Sequence, residues 1–160
     1  MVRGMRILVV DDEALARARL RSLLGDCNPQ AVLQVDEATH ATEALAAIQE
    51  HPCDLVLLDI HMPGMDGLKL ASLMRDLPEP PALVFVTAYA EHALQAFELE
   101  ALDYLTKPVR LARLQQTLQK AERYIEYRRA ITPLKDPEFL VLQDRGRTER
   151  LPINEVLYFK

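Results

Sequence analysis

The chain has 160 residues, 49% hydrophobic and 27% charged, with a formal net charge of −5. That is enough for one well-buried domain and an appendage, and the acidic balance speaks against a non-specific nucleic-acid binder, leaving only a local basic patch open. No apolar run approaches the ~20 residues of a membrane helix.

The run Ile7-Leu8-Val9-Val10 is too short for the apolar region of a signal peptide and reads as a first strand over residues 6–10. Residues 13–24 carry Ala16, Leu20 and Leu23 at helical spacing, with Gly25 as the stop. Cys27 and Cys53 lack CxxC spacing and fit two reduced thiols in a cytoplasmic protein. A second strand is expected over 31–35, a short helix with Leu45 and Ile48 over 42–50, and a third strand over 54–58. Then come a helix over 68–77 with Leu70, Leu73, Met74 and Leu77 inward, and a fourth strand over 82–86, bounded by Pro78, Pro80 and Pro81. A helix over 91–99 and a fifth strand over 101–105 follow. A long helix runs from 109 to about 129, with Leu111, Leu114, Leu118, Ala121 and Ile125 on one face.

Five β-α units with continuous apolar strands imply an α/β fold whose parallel sheet is covered on both faces. Right-handed crossovers make it a doubly wound five-stranded sheet, with the flavodoxin-like order 2-1-3-4-5. The tail changes character. Residues 130–137 hold Pro133 and Pro137 and read as a linker. Residues 139–143 and 148–151 read as strands around the turn Asp144-Arg145-Gly146-Arg147, a short C-terminal β extension. The expected organisation is a domain over 1–129, a linker over 130–137, and over 138–160 the incomplete start of a second domain, too short to bury a core alone.

In such a sheet the ligand crevice lies at the carboxyl ends of the strands. Asp11, Asp12 and Glu13 follow the first strand, Asp59 the third, Thr87 and Ala88 the fourth, and Lys107-Pro108 the fifth. Each has a plainer role when taken alone: Asp11 as a helix cap, Thr87 as a strand end, Lys107 as a solvated lysine, Gly64 and Gly67 as turn residues. Together they converge on one edge. Packed carboxylates repel. A Mg²⁺ ion, which takes carboxylates, waters and phosphate oxygens, removes that cost. Lysine supplies a compact cation for a phosphoryl group and threonine a hydrogen bond. A carboxylate can itself be the nucleophile, giving an aspartyl-phosphate.

The motifs VVDDE (9–13), LLDIHMPGMDG (57–67), VFVTAY (84–89) and DYLTKP (103–108) resemble the receiver domain of bacterial two-component response regulators over roughly residues 5–128. The run FVTAYAEHALQAFELEALDYLTKPV further resembles the LytR/AlgR subgroup, and the tail FLVLQDRGRTERLPINEVLYFK is similar to the first strands of its LytTR DNA-binding domain.

The resemblance implies roles. Asp59 would be the phosphoacceptor for a sensor histidine kinase. Asp12 and Asp59 would hold Mg²⁺ with the His61 backbone carbonyl, and Asp11 would act through water. Lys107, Thr87 and the Ala88 N–H would bind the phosphate, and the Lys107–Pro108 bond would be cis. Thr87 and Tyr104 would form the switch, and His61 and Tyr89 would flank the phosphate. The output would be a homodimer through the face of the fourth helix, fifth strand and fifth helix. Arg110, Arg113, Lys120, Glu122 and Glu126 are candidates for its ion pairs, with a solvated charged face as the default reading, and DNA would be bound only by the domain this chain lacks. Such a chain is not an enzyme, though it promotes its own phosphotransfer and dephosphorylation.

Three alternatives compete. Haloacid-dehalogenase-type phosphatases carry a second acid two residues after the nucleophile, where this chain has His61. A nucleotide-binding oxidoreductase lacks support, since neither GxGxxG nor GxxxxGK[ST] occurs. The third is a receiver-like interaction module working without phosphorylation.

Overall fold

The computed structural model describes residues 4–27 and 33–131. The chain divides into two compact units, residues 1–123 and 124–160. Of the second, only 124–131, the last turns of a helix, lie within the described residues. There Arg128 sits 5.5 Å above the Tyr124 ring. The β extension expected at 138–160 and most of the expected linker lie outside the described residues.

Five parallel strands, β1 (Met5–Val10), β2 (Leu33–Ala38), β3 (Leu55–Leu58), β4 (Ala82–Thr87) and β5 (Asp103–Thr106), form one sheet in the order β2-β1-β3-β4-β5, as the sequence predicts. The helices are α1 (Ala14–Cys27), α2 (Ala41–Glu50), α3 (Gly67–Arg75), α4 (Ala93–Glu98) and α5 (Leu111–Ile131). The central strands are buried along their length because both faces are covered. Their alternation divides the core. Leu8, Val10, Val56, Leu58, Leu83 and Phe85 join Ala44, Ile48, Leu70 and Met74 in one cluster. Ile7, Val9, Leu55, Leu57 and Val84 point to the other face and are equally buried. Gln115 of α5 donates to the Cys27 carbonyl at the end of α1, 2.9 Å away.

Several boundaries shift for physical reasons. Gly25 does not stop α1, which continues to Cys27. Cys27 is buried one helical face below Leu20 and Leu24, and that burial outweighs the ~1 kcal/mol a helical glycine costs. Strand β2 runs on to Ala38 through the exposed Gln34, Asp36 and Glu37. It is an edge strand, so its polar face is not covered. The expected helix over 91–99 begins with a 3-10 turn, Ala90–His92, before the short α4. Helix α5 starts at Leu111, which is 37% exposed rather than inward, and extends through Ala130 and Ile131 into the expected linker. No helix among the described residues is long and apolar enough to cross a membrane.

Candidate functional site

The sheet ladder continues past its strand ends and sets the site. Asp11 N–H donates to the Ala38 carbonyl (3.1 Å), Asp59 N–H to the Val10 carbonyl (3.0 Å) and Lys107 N–H to the Thr87 carbonyl (2.8 Å). Parallel pairing thereby brings Asp11, Asp59, Thr87 and Lys107 together across nearly a hundred positions of sequence. The carboxylates of Asp11, Asp12 and Asp59 offer oxygens within 4.8 Å of one another. Asp11 and Asp59 are buried and Asp12 is exposed, so the cluster opens to solvent on one side. An all-oxygen donor set of this kind fits a hard divalent cation such as Mg²⁺.

Lys107 bridges the buried pair: its Nζ lies 2.7 Å from Asp11 Oδ2 and 3.5 Å from Asp59 Oδ2. Burial pushes the Asp59 carboxyl above its usual range, and the neighbouring Asp11 charge adds to this. Lys107 and the Ile60 N–H only partly offset it. Burial alone would lower the Lys107 ammonium, yet its hydrogen bond to Asp11 and the two carboxylate charges carry it upward. The site holds more negative charge than its one lysine compensates.

The loop after β3 is shaped by two glycines. Gly64 has φ +78°, a left-handed conformation that glycine adopts freely. Gly67 opens α3 and donates to the Ile60 carbonyl at 2.7 Å. A Cβ at Gly67 would fall 2.1 Å from the Asp59 carbonyl oxygen. The α3 N-terminus thus presses on the Asp59 backbone, a close approach that the turn reading of Gly67 did not contain. Asp66 caps α3 through the Lys69 N–H, 2.9 Å away.

The remaining candidates sit as follows. Thr87 is fully buried, and its hydroxyl accepts weakly from the Tyr89 N–H (3.4 Å). Ala88 is exposed beside it. The Lys107–Pro108 bond is cis, as the resemblance implies. The Tyr104 hydroxyl donates to the Tyr89 carbonyl, and its ring lies 6.2 Å from that of Phe85. The exposed His61 ring packs edge-on to Tyr89 at 4.2 Å, with His92 5.2 Å away.

Two features were missed in the sequence. Arg113 and Lys120, read as candidates for ion pairs between copies, both engage Asp103 of the same chain: Arg113 forks onto it at 2.7 and 2.9 Å and Lys120 lies 3.6 Å from it. The Thr117 hydroxyl donates to the same carboxylate at 2.7 Å. Burial would raise the Asp103 carboxyl, but these donors and the Tyr104 N–H hold it down to about 2. The second feature is Arg17, whose guanidinium donates to the Asp11 carbonyl at 2.8 Å. The helical arginine spacing in α1 was the available signal, and it reads equally well as a solvated face.

The response regulator receiver domain matches residues 7–119. The "Positive alginate biosynthesis regulatory protein" of Pseudomonas aeruginosa is 40% identical over 97% of this chain and 65% of its own length. The "Sensory transduction protein LytT" of Bacillus subtilis is 43% identical over 72% of this chain and 47% of its own. The chain therefore spans about half to two thirds of the length of these curated relatives. Among solved structures, the response regulatory domain of mrkE from Klebsiella pneumoniae superposes with a TM-score of 0.69 and 35% identity, covering 77% of this chain and 99% of that one. TrrA from Thermotoga maritima, crystallised in complex with Mg(2+)-BeF, gives a TM-score of 0.64 at 32% identity over 73% of this chain and 98% of that one. With the receiver domain matched over residues 7–119 of its 160 and its relatives among the LytR/AlgR-type regulators, the chain belongs to the response regulator receiver domain family of two-component systems.

Proposed function

We propose that Asp59 accepts a phosphoryl group from a phosphohistidine of a sensor histidine kinase, with Mg²⁺ held by Asp12, Asp59 and the His61 carbonyl, and by Asp11 through water. The observation that carries this reading is the Asp11–Asp12–Asp59 cluster with Lys107 bridging its buried pair. An Asp59 oxygen attacks phosphorus in line, and the P–N bond breaks. Its electron pair leaves on the imidazole nitrogen, which takes a proton from solvent. Bound Mg²⁺ supplies charge neutralisation for the carboxylates and phosphoryl oxygens. Lys107, already aimed between the two aspartates, pairs with the transferred group, and the Thr87 hydroxyl and Ala88 N–H hold its remaining oxygens. Beside the pocket, Leu15 is 86% exposed, and Ala16, Leu20, Leu23, Pro108 and Val109 line an apolar cleft of about 330 Å³. An exposed apolar surface next to a reacting carboxylate suits a protein phosphodonor.

The same geometry supports a switch. Drawing the Thr87 hydroxyl onto the phosphate removes its contact with the Tyr89 N–H and frees Tyr104 to leave the Tyr89 carbonyl and turn inward. The α4–β5–α5 face, with Leu94 and Phe97 exposed on α4, then changes shape and pairs two copies. In a full-length cytoplasmic protein this would align two LytTR-type DNA-binding domains and control transcription. Residues 1–129 act as the phospho-receiver, 130–137 as linker and 138–160 as the start of that domain.

The test is intact mass and oligomeric state with acetyl phosphate, with and without MgCl₂. The wild-type chain gains one phosphoryl group only with Mg²⁺, and Asp59→Asn gains none. Persistent labelling of that variant would sink the assignment, and a chain that never labels would point to the phosphorylation-independent module.

A further inference from the structure

We infer that Arg17 and Glu37 form a brace that positions the acidic loop for Mg²⁺. The inference rests on the metal reading above. Every polar group of Asp11 is engaged. Its N–H donates to Ala38 and its Oδ1 accepts from the Glu13 N–H at 2.9 Å. Its Oδ2 takes Lys107, and its carbonyl takes Arg17 Nη1 at 2.8 Å. The Asp11 backbone is thus pinned between β2 on one side and α1 on the other, and Asp12, the exposed ligand, inherits its direction from that backbone.

The Arg17 side chain is only 14% exposed, and its Nε donates to Glu37 Oε1 at 2.8 Å. Arg21 supports the same carboxylate from one turn further along α1, 3.3 Å from Glu37 Oε2, and donates to the Val35 carbonyl at 2.8 Å. A planar guanidinium gripped at Nε cannot swing, so its Nη1 reaches the Asp11 carbonyl in one orientation. Glu37 also cancels the charge of Arg17, so the brace donates a hydrogen bond without placing a bare cation beside the metal. This explains why an exposed edge strand keeps an acid at its carboxyl end.

Charge and geometry make opposite predictions for Arg17. If the guanidinium acted only through its field, removing it would tighten Mg²⁺ binding to three carboxylates. If it positions the loop, removing it weakens binding, as loss of outer-shell partners of metal ligands does. The experiment measures the melting temperature of the 160-residue chain against MgCl₂ at constant ionic strength, from which the apparent affinity follows. Arg17→Gln is expected to weaken Mg²⁺ affinity about tenfold. Arg17→Lys, which keeps the charge but cannot hold both partners, also weakens it. In acetyl phosphate labelling the Mg²⁺ concentration for half-maximal rate rises, while the rate at saturating Mg²⁺ stays near wild type. Unchanged affinity in both variants, or tighter binding by Arg17→Gln, would overturn the brace. A wild-type chain whose melting temperature ignores MgCl₂ would instead remove the metal site, and the brace with it. Should Arg17→Gln not fold, Arg17→Lys alone decides, since a pure field effect leaves its affinity unchanged.

Discussion

Asp59, just past β3, and Asp103, at the start of β5, have side chains only 10% and 8% exposed, yet their carboxyls are displaced in opposite directions. The Asp103 carboxylate is closed off by a guanidinium fork, a hydroxyl, a backbone N–H and a nearby ammonium. Asp59 has one lysine at 3.5 Å, already committed more closely to Asp11, and a second carboxylate beside it. Burial raises both, and the donors around Asp103 outweigh it where the few around Asp59 do not. A carboxylate with all its lone pairs satisfied ties α5 to β5. A carboxylate left short of donors keeps an oxygen for an electrophile and a place for a cation.

Asp59→Asn removes the under-satisfied carboxylate outright. Labelling falls to zero, and the melting temperature without Mg²⁺ rises. The direction follows from linkage: a carboxyl raised on folding contributes stability below its ordinary value and loses it as pH climbs through the raised one. At neutral pH the ionised Asp59 therefore opposes folding, and the amide does not. A lower melting temperature for the variant would contradict the under-satisfied reading.

Gly67→Ala moves the same site without touching its charges. Its Cβ cannot coexist with the Asp59 carbonyl, so α3 or the β3 end must retreat. Urea unfolding is expected to show a loss of about 3 kcal/mol, with slower labelling by acetyl phosphate. Wild-type stability would mean that the loop accommodates the methyl freely.

Asp103→Asn attacks the other half. A carboxyl held at about 2, below its ordinary 3.8, contributes stability above pH 4 that drains as pH falls toward 2. Because Arg113 is nearly half exposed, solvent screens the pair, and the contribution is about 1–2 kcal/mol. The wild type should lose that much between pH 4 and pH 2, and the variant should lack this limb while labelling normally at pH 7. The smallest effect serves as a control. Glu100 holds φ +61° at the end of α4, and its ion pair with Arg75 is exposed. Glu100→Gly relieves the left-handed strain, for a gain of about 0.5 kcal/mol. It should leave both the acid limb and the Mg²⁺ response unchanged.

The five-fold alternation of apolar strands and amphipathic helices is written in the order of residues, and with it the parallel sheet, its strand order and the edge on which Asp11, Asp12, Asp59, Thr87 and Lys107 meet. Local periodicity and parallel register suffice for that, because each of these residues lies at or just past the carboxyl end of a strand. It was a poorer guide where an element was held by something remote. Gly25 lies inside α1 because Cys27 finds a buried place, and β2 reaches Ala38 because an edge strand needs only one partner. How charge is shared depends on the folded arrangement. Which aspartate is saturated, which arginine turns inward to a backbone carbonyl, and which glycine touches the Asp59 backbone depend on distances between residues from 6 to 96 positions apart. Electrostatic energy falls with distance in space, and nothing in the order of residues along the chain records it.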